Sequence, residues 1–155
     1  AMDLLGALRL CANVPGQFAI EAALTGIDTI SALCAPGGRL HEARRAVVEA
    51  CDASPYLRLV APSGALYAFP GIAEEFSQGF DDHAFALELM EAEGVLVVPG
   101  NSFNVPYRNH FRVTLLPEPA QLREVFARIH RVLERQITDA RKVVPLAKRQ
   151  ARVAG

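Results

Sequence analysis

The sequence predicts an α/β fold in which a small sheet is covered by helices. Three observations carry this expectation. The 155 residues are a one-domain length, and 51% of them are apolar, enough to build a single core. Apolar residues recur at helical spacing in four stretches. Between those stretches lie short β-branched or aromatic runs bounded by Pro and Gly, in the order helix, helix, strand, strand, helix, strand, strand, helix.

The elements follow from local chemistry. Asn13-Val14-Pro15 reads as a helix start, with Asn13 as N-cap and Pro15 in the first turn. Phe18, Ala22, Ile27 and Ile30 continue the spacing and predict a helix over 14–33, weakened by Gly26. Ala35-Pro36-Gly37-Gly38 breaks the chain. Leu40, Ala43, Val47 and Ala50 share one face of a second helix over 39–51, ended by Ser54-Pro55. The runs 56–60 and 65–69 read as two strands with a tight connection at Pro62-Ser63-Gly64. Asp81-Asp82 caps a third helix reaching about residue 93, where acidic residues suit the helix dipole and Gly94 supplies the stop. The β-branched run 95–98, ended by Pro99-Gly100, reads as a buried strand, and 111–115 as another. Pro117-Glu118-Pro119 opens the last helix, whose apolar positions Leu122, Val125, Phe126, Ile129, Val132, Leu133 and Ile137 fall three and four apart. Residues 138–155 make a basic, small-residue-rich tail containing Pro145, expected to be flexible or helical only in part.

Composition narrows the function classes. A net charge of −1 gives no reason to propose nucleic acid or an anionic membrane as partner. No apolar run approaches the roughly 20 residues that span a bilayer, and the N-terminus lacks the basic flank and apolar stretch of a signal peptide. Cys11, Cys34 and Cys51 form no CxxC pair, so three reduced, mostly buried cysteines in a cytoplasmic protein are expected. Both lysines, Lys142 and Lys148, lie in the tail, which leaves residues 1–141 without a Schiff-base candidate.

Few residues are candidates for chemistry. In the strand 111–115, Phe111, Val113 and Leu115 face one way and Arg112, Thr114 and Leu116 the other. Arg112 is then either a solvated surface charge or a planar fork that clamps a carboxylate. The Gly100-Asn101-Ser102 loop before it would let a small ligand approach the backbone. Gly64 with Tyr67 reads either as a turn entering a core strand or as a pocket wall. Ser102 and His110 lack a Gly-x-Ser-x-Gly elbow, so no hydrolase triad is expected. His41, His83, His110 and His130 lie on separate elements with no ligand spacing, so no metal site is expected.

Three blocks go further: Leu8-Arg9-Leu10-Cys11-Ala12-Asn13-Val14-Pro15-Gly16-Gln17; Pro62-Ser63-Gly64-Ala65-Leu66-Tyr67-Ala68-Phe69-Pro70; and Val98-Pro99-Gly100-Asn101-Ser102-Phe103 with Phe111-Arg112-Val113. Together they resemble the C-terminal part of class I aminotransferases, fold-type I enzymes that use pyridoxal phosphate, and most of all the alanine aminotransferase branch. The resemblance runs from about Leu4 to Leu133. It implies a linker-helix region over 1–38, an aminotransferase small domain over 39–137, and the tail over 138–155. It implies that Arg112 holds the substrate α-carboxylate, with Gly64 and Tyr67 on the substrate side of the pocket. Arg39 would serve helix initiation and domain packing. Arg9, Asn13 and Gln17 match the family block, although their residue chemistry favours helix capping by Asn13 and a surface Arg9.

The same resemblance implies transfer of an amino group from L-alanine to 2-oxoglutarate, in a cytoplasmic homodimer acting on amino acids and 2-oxo acids. An aspartate-type or broad-range donor preference is the near alternative. The cofactor lysine and the phosphate and ring partners would all precede Ala1, so no catalytic or cofactor-binding residue is assigned here, and the chain alone is expected to be inactive. The competing reading is a stand-alone, non-catalytic domain that binds a partner protein or a small carboxylate. The first reading predicts uncovered apolar surface over 14–33; the second predicts a chain that folds without help.

Overall fold

The computed structural model describes residues 7, 13–26, 29–106 and 108–143, with side chains as far as Thr138. They fall into two units, dividing between Ala32 and Leu33.

The first unit holds α1 (Val14–Phe18), α2 (Ile20–Thr25) and most of α3 (Thr29–Cys34). The Asn13 carboxamide accepts the Gly16 N–H at 3.2 Å, the cap expected from sequence. The single helix expected over 14–33 is instead broken: the chain turns at Ala19, and α2 ends at Gly26 in an extended conformation. No residue of α1 or α2 is buried; Val14, Phe18, Ile20 and Leu24 are all exposed, as is Ile30 in α3. Helices this short make too few internal hydrogen bonds to hold their own against chain entropy, so they depend on packing. Arg9, Cys11 and residues 27–28 lie outside the described residues.

The second unit carries the core. Helix α4 (Arg39–Ala53) buries Ala43, Ala46, Val47 and Cys51, a stripe at three- and four-residue spacing. It packs against α7 (Pro119–Val143), whose Leu122, Phe126, Ile129, Val132 and Leu133 are buried. Helix α6 (Asp82–Glu93) packs on α7 as well, through Phe85, Ala86 and Leu89. Asp81 caps α6 by accepting the His83 and Ala84 N–H groups at 2.9 and 3.0 Å. Gly94 ends the helix at φ 65°, a left-handed conformation that glycine adopts without a Cβ clash.

All strand pairs are antiparallel. A three-stranded sheet runs in the order β2 (Tyr67–Ala68), β5 (Phe111–Thr114), β4 (Val98–Pro99). A two-stranded pair joins β1 (Leu57–Arg58) to β3 (Gly71–Ile72), and a bridge from Gly71 to His110 links it to the start of β5. The two strands expected over 56–60 and 65–69 are therefore shorter and do not pair with each other. Strand β3 and the one-turn helix α5 (Glu74–Ser77) went unanticipated, because two to four residues carry no periodicity. The strand expected over 95–98 starts only at Val98. The Val95 N–H still bonds back to Leu89 O at 3.4 Å, so the chain is leaving α6 at that point. Helix α7 continues to Val143, six residues into the expected tail; residues 144–155 lie outside the described residues. Cys51 is buried as expected, while Cys34 is exposed.

Candidate functional site

Strand β5 alternates as its sequence predicts: Phe111, Val113 and Leu115 are buried in the core, while Arg112 and Thr114 are half-buried on the opposite face. The register sets Tyr67 opposite Thr114 and Val98 opposite Arg112. Tyr67 and Arg112 are thus diagonal neighbours on one face of the sheet, a separation that long side chains bridge. The Arg112 guanidinium carbon lies 4.3 Å from the centre of the Tyr67 ring.

A second ring comes from the segment that follows β4. Residues Gly100–Phe103 form a 3-10 turn, ended by Asn104 in a left-handed conformation at φ 55°. The turn puts the Phe103 ring 4.9 Å from the Arg112 guanidinium carbon and edge-on to Phe69 at 5.6 Å. Gly100 is required by space: a Cβ there would stand 2.8 Å from the backbone oxygen of His110. Its N–H donates to that same oxygen at 2.8 Å.

Among the described residues the Arg112 guanidinium has no carboxylate or hydrogen-bond partner, only the two aromatic faces. Two openings meet at it. A groove of about 670 Å³ is bordered by Tyr67, Leu96, Val98, Arg112, Thr114 and Val125. A smaller one of about 350 Å³ lies among Tyr67, Phe69, Phe103, Val105 and Arg112. A half-buried guanidinium with free N–H groups, facing a largely apolar groove, suits a ligand that brings one carboxylate and an apolar body. Just before β5, His110 stacks on Phe69 with ring centres 5.2 Å apart. Burial holds its imidazole below the usual histidine range, against an opposing pull from the Asp82 charge.

Of the three site residues expected from sequence, Arg112 and Tyr67 come together and Gly64 stands apart. Gly64 borders a different opening, with Cys34, His41, Arg44 and Leu115. The chain turns between Gly64 and Tyr67 at Ala65, which takes a left-handed φ of 58°. Tyr67 is 46% exposed and borders the groove, so its ring is not part of the core. Phe103 is no candidate on sequence alone, and its contact with Arg112 makes it part of the site. Arg39 donates to Leu116 O at 2.7 Å and lies 3.6 Å from Glu118, tying the start of α4 to the end of β5. No group of three or more His, Cys, Asp or Glu side chains could hold a metal among the described residues. Nor is any single helix there long and apolar enough to cross a membrane.

Helices packed with small antiparallel sheets give this unit the α/β fold of fold-type I aminotransferases. The family described as aminotransferase class I and II matches residues 6–129, and the chain belongs to it. It is 43% identical over 116 residues to the glutamate-pyruvate aminotransferase AlaA of Escherichia coli K12, covering 75% of this chain and 29% of that protein. Among solved structures, an aminotransferase from Escherichia coli superposes with a TM-score of 0.77 at 40% identity, over 84% of this chain and 32% of that one. The alanine aminotransferase from Pyrococcus furiosus superposes with a TM-score of 0.72 at 32% identity, over 86% of this chain and 33% of that one. The chain spans about a third of the length of the curated relatives it matches.

Proposed function

We propose that this chain is the C-terminal part of an alanine-type aminotransferase, and that Arg112 receives the α-carboxylate of the amino acid or 2-oxo acid substrate. The observation that carries the reading is the open guanidinium: Arg112 is aligned by Tyr67 and Phe103 yet paired with no carboxylate among the described residues. Two parallel N–H···O bonds to a carboxylate would fix both the position and the plane of the ligand. Such orientation is a general source of rate enhancement. Donor and acceptor are proposed to be L-alanine and 2-oxoglutarate, with an aspartate-type or broad-range preference as the near alternative. Tyr67 is proposed to flank the bound acid. Gly64 is retained as a candidate on resemblance, its distance from Arg112 notwithstanding.

No residue of this chain is proposed to hold pyridoxal phosphate. Residues 1–141 contain no lysine, and Lys142 lies in the last turn of α7. The cofactor would be held by a longer polypeptide, in which pyridoxal phosphate supplies the carbanion chemistry and this unit supplies one end of the substrate site. The exposed apolar residues of α1 and α2 support that reading, since the first unit offers surface for further protein to cover. Assembly as a homodimer and residence in the cytoplasm are part of the same proposal.

Two measurements test it. The 155-residue chain, mixed with pyridoxal phosphate, L-alanine and 2-oxoglutarate, is expected to give no pyruvate above the cofactor-only rate; enzyme-like turnover would overturn the reading. In the longer reading frame, Arg112→Leu is expected to raise KM for both substrates together. An unchanged KM would remove Arg112 from the site.

A further inference from the structure

Asp82 is the one charged side chain that is buried among the described residues, at 1% exposure. A carboxylate out of water is costly unless its oxygens are bonded, so its partners show what it is for. It is not needed to cap α6, because Asp81 already takes the His83 and Ala84 N–H groups. Asp82 instead points its Oδ2 across to the 3-10 turn, where the Asn101 N–H donates to it at 2.8 Å. The same oxygen stands 3.2 Å from where a Cβ on Gly100 would sit, and Gly100 is held on its other side by His110 O. The turn is therefore gripped between the first residue of α6 and the residue before β5. Its last residue, Phe103, is one of the two rings against Arg112.

We propose that Asp82 is a positioning residue for Arg112, acting through the Gly100–Phe103 turn and the Phe103 ring. This rests on the reading of Arg112 as a carboxylate clamp. When the turn is released, Phe103 moves off, and the guanidinium gains rotamers that do not face the groove. Carboxylate affinity then falls in proportion to the lost fraction of competent conformers.

The test follows the Arg112 Nε–Hε resonance in the ¹⁵N-arginine-labelled 155-residue chain, assigned by its loss in Arg112→Lys. In the wild type this proton is expected upfield of the other arginines, shifted by the currents of two rings. Phe103→Ala is expected to move it downfield, and Asp82→Ala to move it the same way. Asp82→Asn, which keeps a weaker acceptor, should move it less. Titration with acetate and with 2-oxoglutarate is expected to show affinity reduced about tenfold in Asp82→Ala, as for a clamp competent a tenth of the time. A signal identical to wild type in every folded Asp82 variant would overturn the proposal, and Asp82→Asn supplies that comparison if Asp82→Ala does not fold. If the wild type bound neither carboxylate, the clamp would fall, while the shift in the Asp82 variants would still decide whether the turn positions the side chain.

Discussion

Two groups of arginines in this unit stand in opposite conditions. Beside the end of α6, Arg131 donates to Glu93 at 2.7 and 3.4 Å, Arg135 lies 3.6 Å from the same carboxylate, and Arg128 donates to the Glu93 backbone oxygen at 3.0 Å. Arg128 also holds Glu124 at 3.0 Å. On β5, Arg112 has two rings for neighbours and no anion. The first group is saturated from within and ties α6 to α7. The second is ordered by contacts that orient a guanidinium while leaving its N–H groups free. What separates a structural arginine from a binding arginine is therefore the supply of acceptors around it: Arg112 and Arg128 are both half-buried, yet only Arg128 meets carboxylate and carbonyl oxygens.

The largest effect that sharpens this contrast comes from the neighbour of Arg112. Phe111 is fully buried, and Phe111→Ala is expected to cost about 3–5 kcal/mol in chemical denaturation. Arg112→Leu, one residue along and on the other face, is expected to change stability by less than about 0.5 kcal/mol, because no buried anion is orphaned. It should weaken acetate and 2-oxoglutarate binding by roughly 10- to 100-fold in isothermal titration, from the about 1.5–3 kcal/mol of a hydrogen bond to a charged group. A large stability loss in Arg112→Leu would break the comparison by placing Arg112 among the structural arginines.

Glu93→Gln should act in the reverse sense, leaving carboxylate binding intact while lowering the melting temperature, with a deficit that shrinks in high salt. Hydrogen bonding from Arg131, with the charges of Arg131, Arg135 and Arg128, holds the Glu93 carboxyl below its usual range. A depressed carboxyl contributes stability that is present at neutral pH and lost as pH falls through the folded value. The wild type should therefore lose stability more steeply in acid than Glu93→Gln, measured as melting temperature from pH 6 downward. The smallest effect serves as a control. Burial, aided by Asp52, pushes the Cys51 thiol up to about 12, so iodoacetamide at pH 8 should label Cys34 and spare Cys51. Mass mapping should find the same protection in Arg112→Leu, and its loss in Phe111→Ala.

Much of the contrast could be read from sequence, within definite limits. The alternation around Arg112 put it on the outer face because a strand has a period of two. The caps of α6 were visible because Asp81 and Gly94 act on their immediate neighbours. What stayed hidden depends on partners far along the chain. Asp82 and Asn101 meet only after α6, β4 and the turn are in place, so Asp82 read as an ordinary first-turn acid. Phe103 lay in a recognised motif, but only folding reveals that its ring meets Arg112. Gly64 and Tyr67 are grouped by the resemblance of the block that holds them both, and the left-handed Ala65 between them accompanies their parting to different openings. The helix expected over 14–33 rests on a cap and apolar spacing, which say nothing about whether another surface is present to pack against.

The pairing of α4 with α7 also sets a timetable. The residues that cover the apolar stripe of α4 begin at Pro119, roughly 65 positions after α4 ends, and at about 5–20 residues per second a ribosome needs several seconds to make them. During that interval Ala43, Ala46, Val47 and Cys51 have no permanent cover. The emerging chain therefore carries that stripe without its final cover until α7 has cleared the exit tunnel.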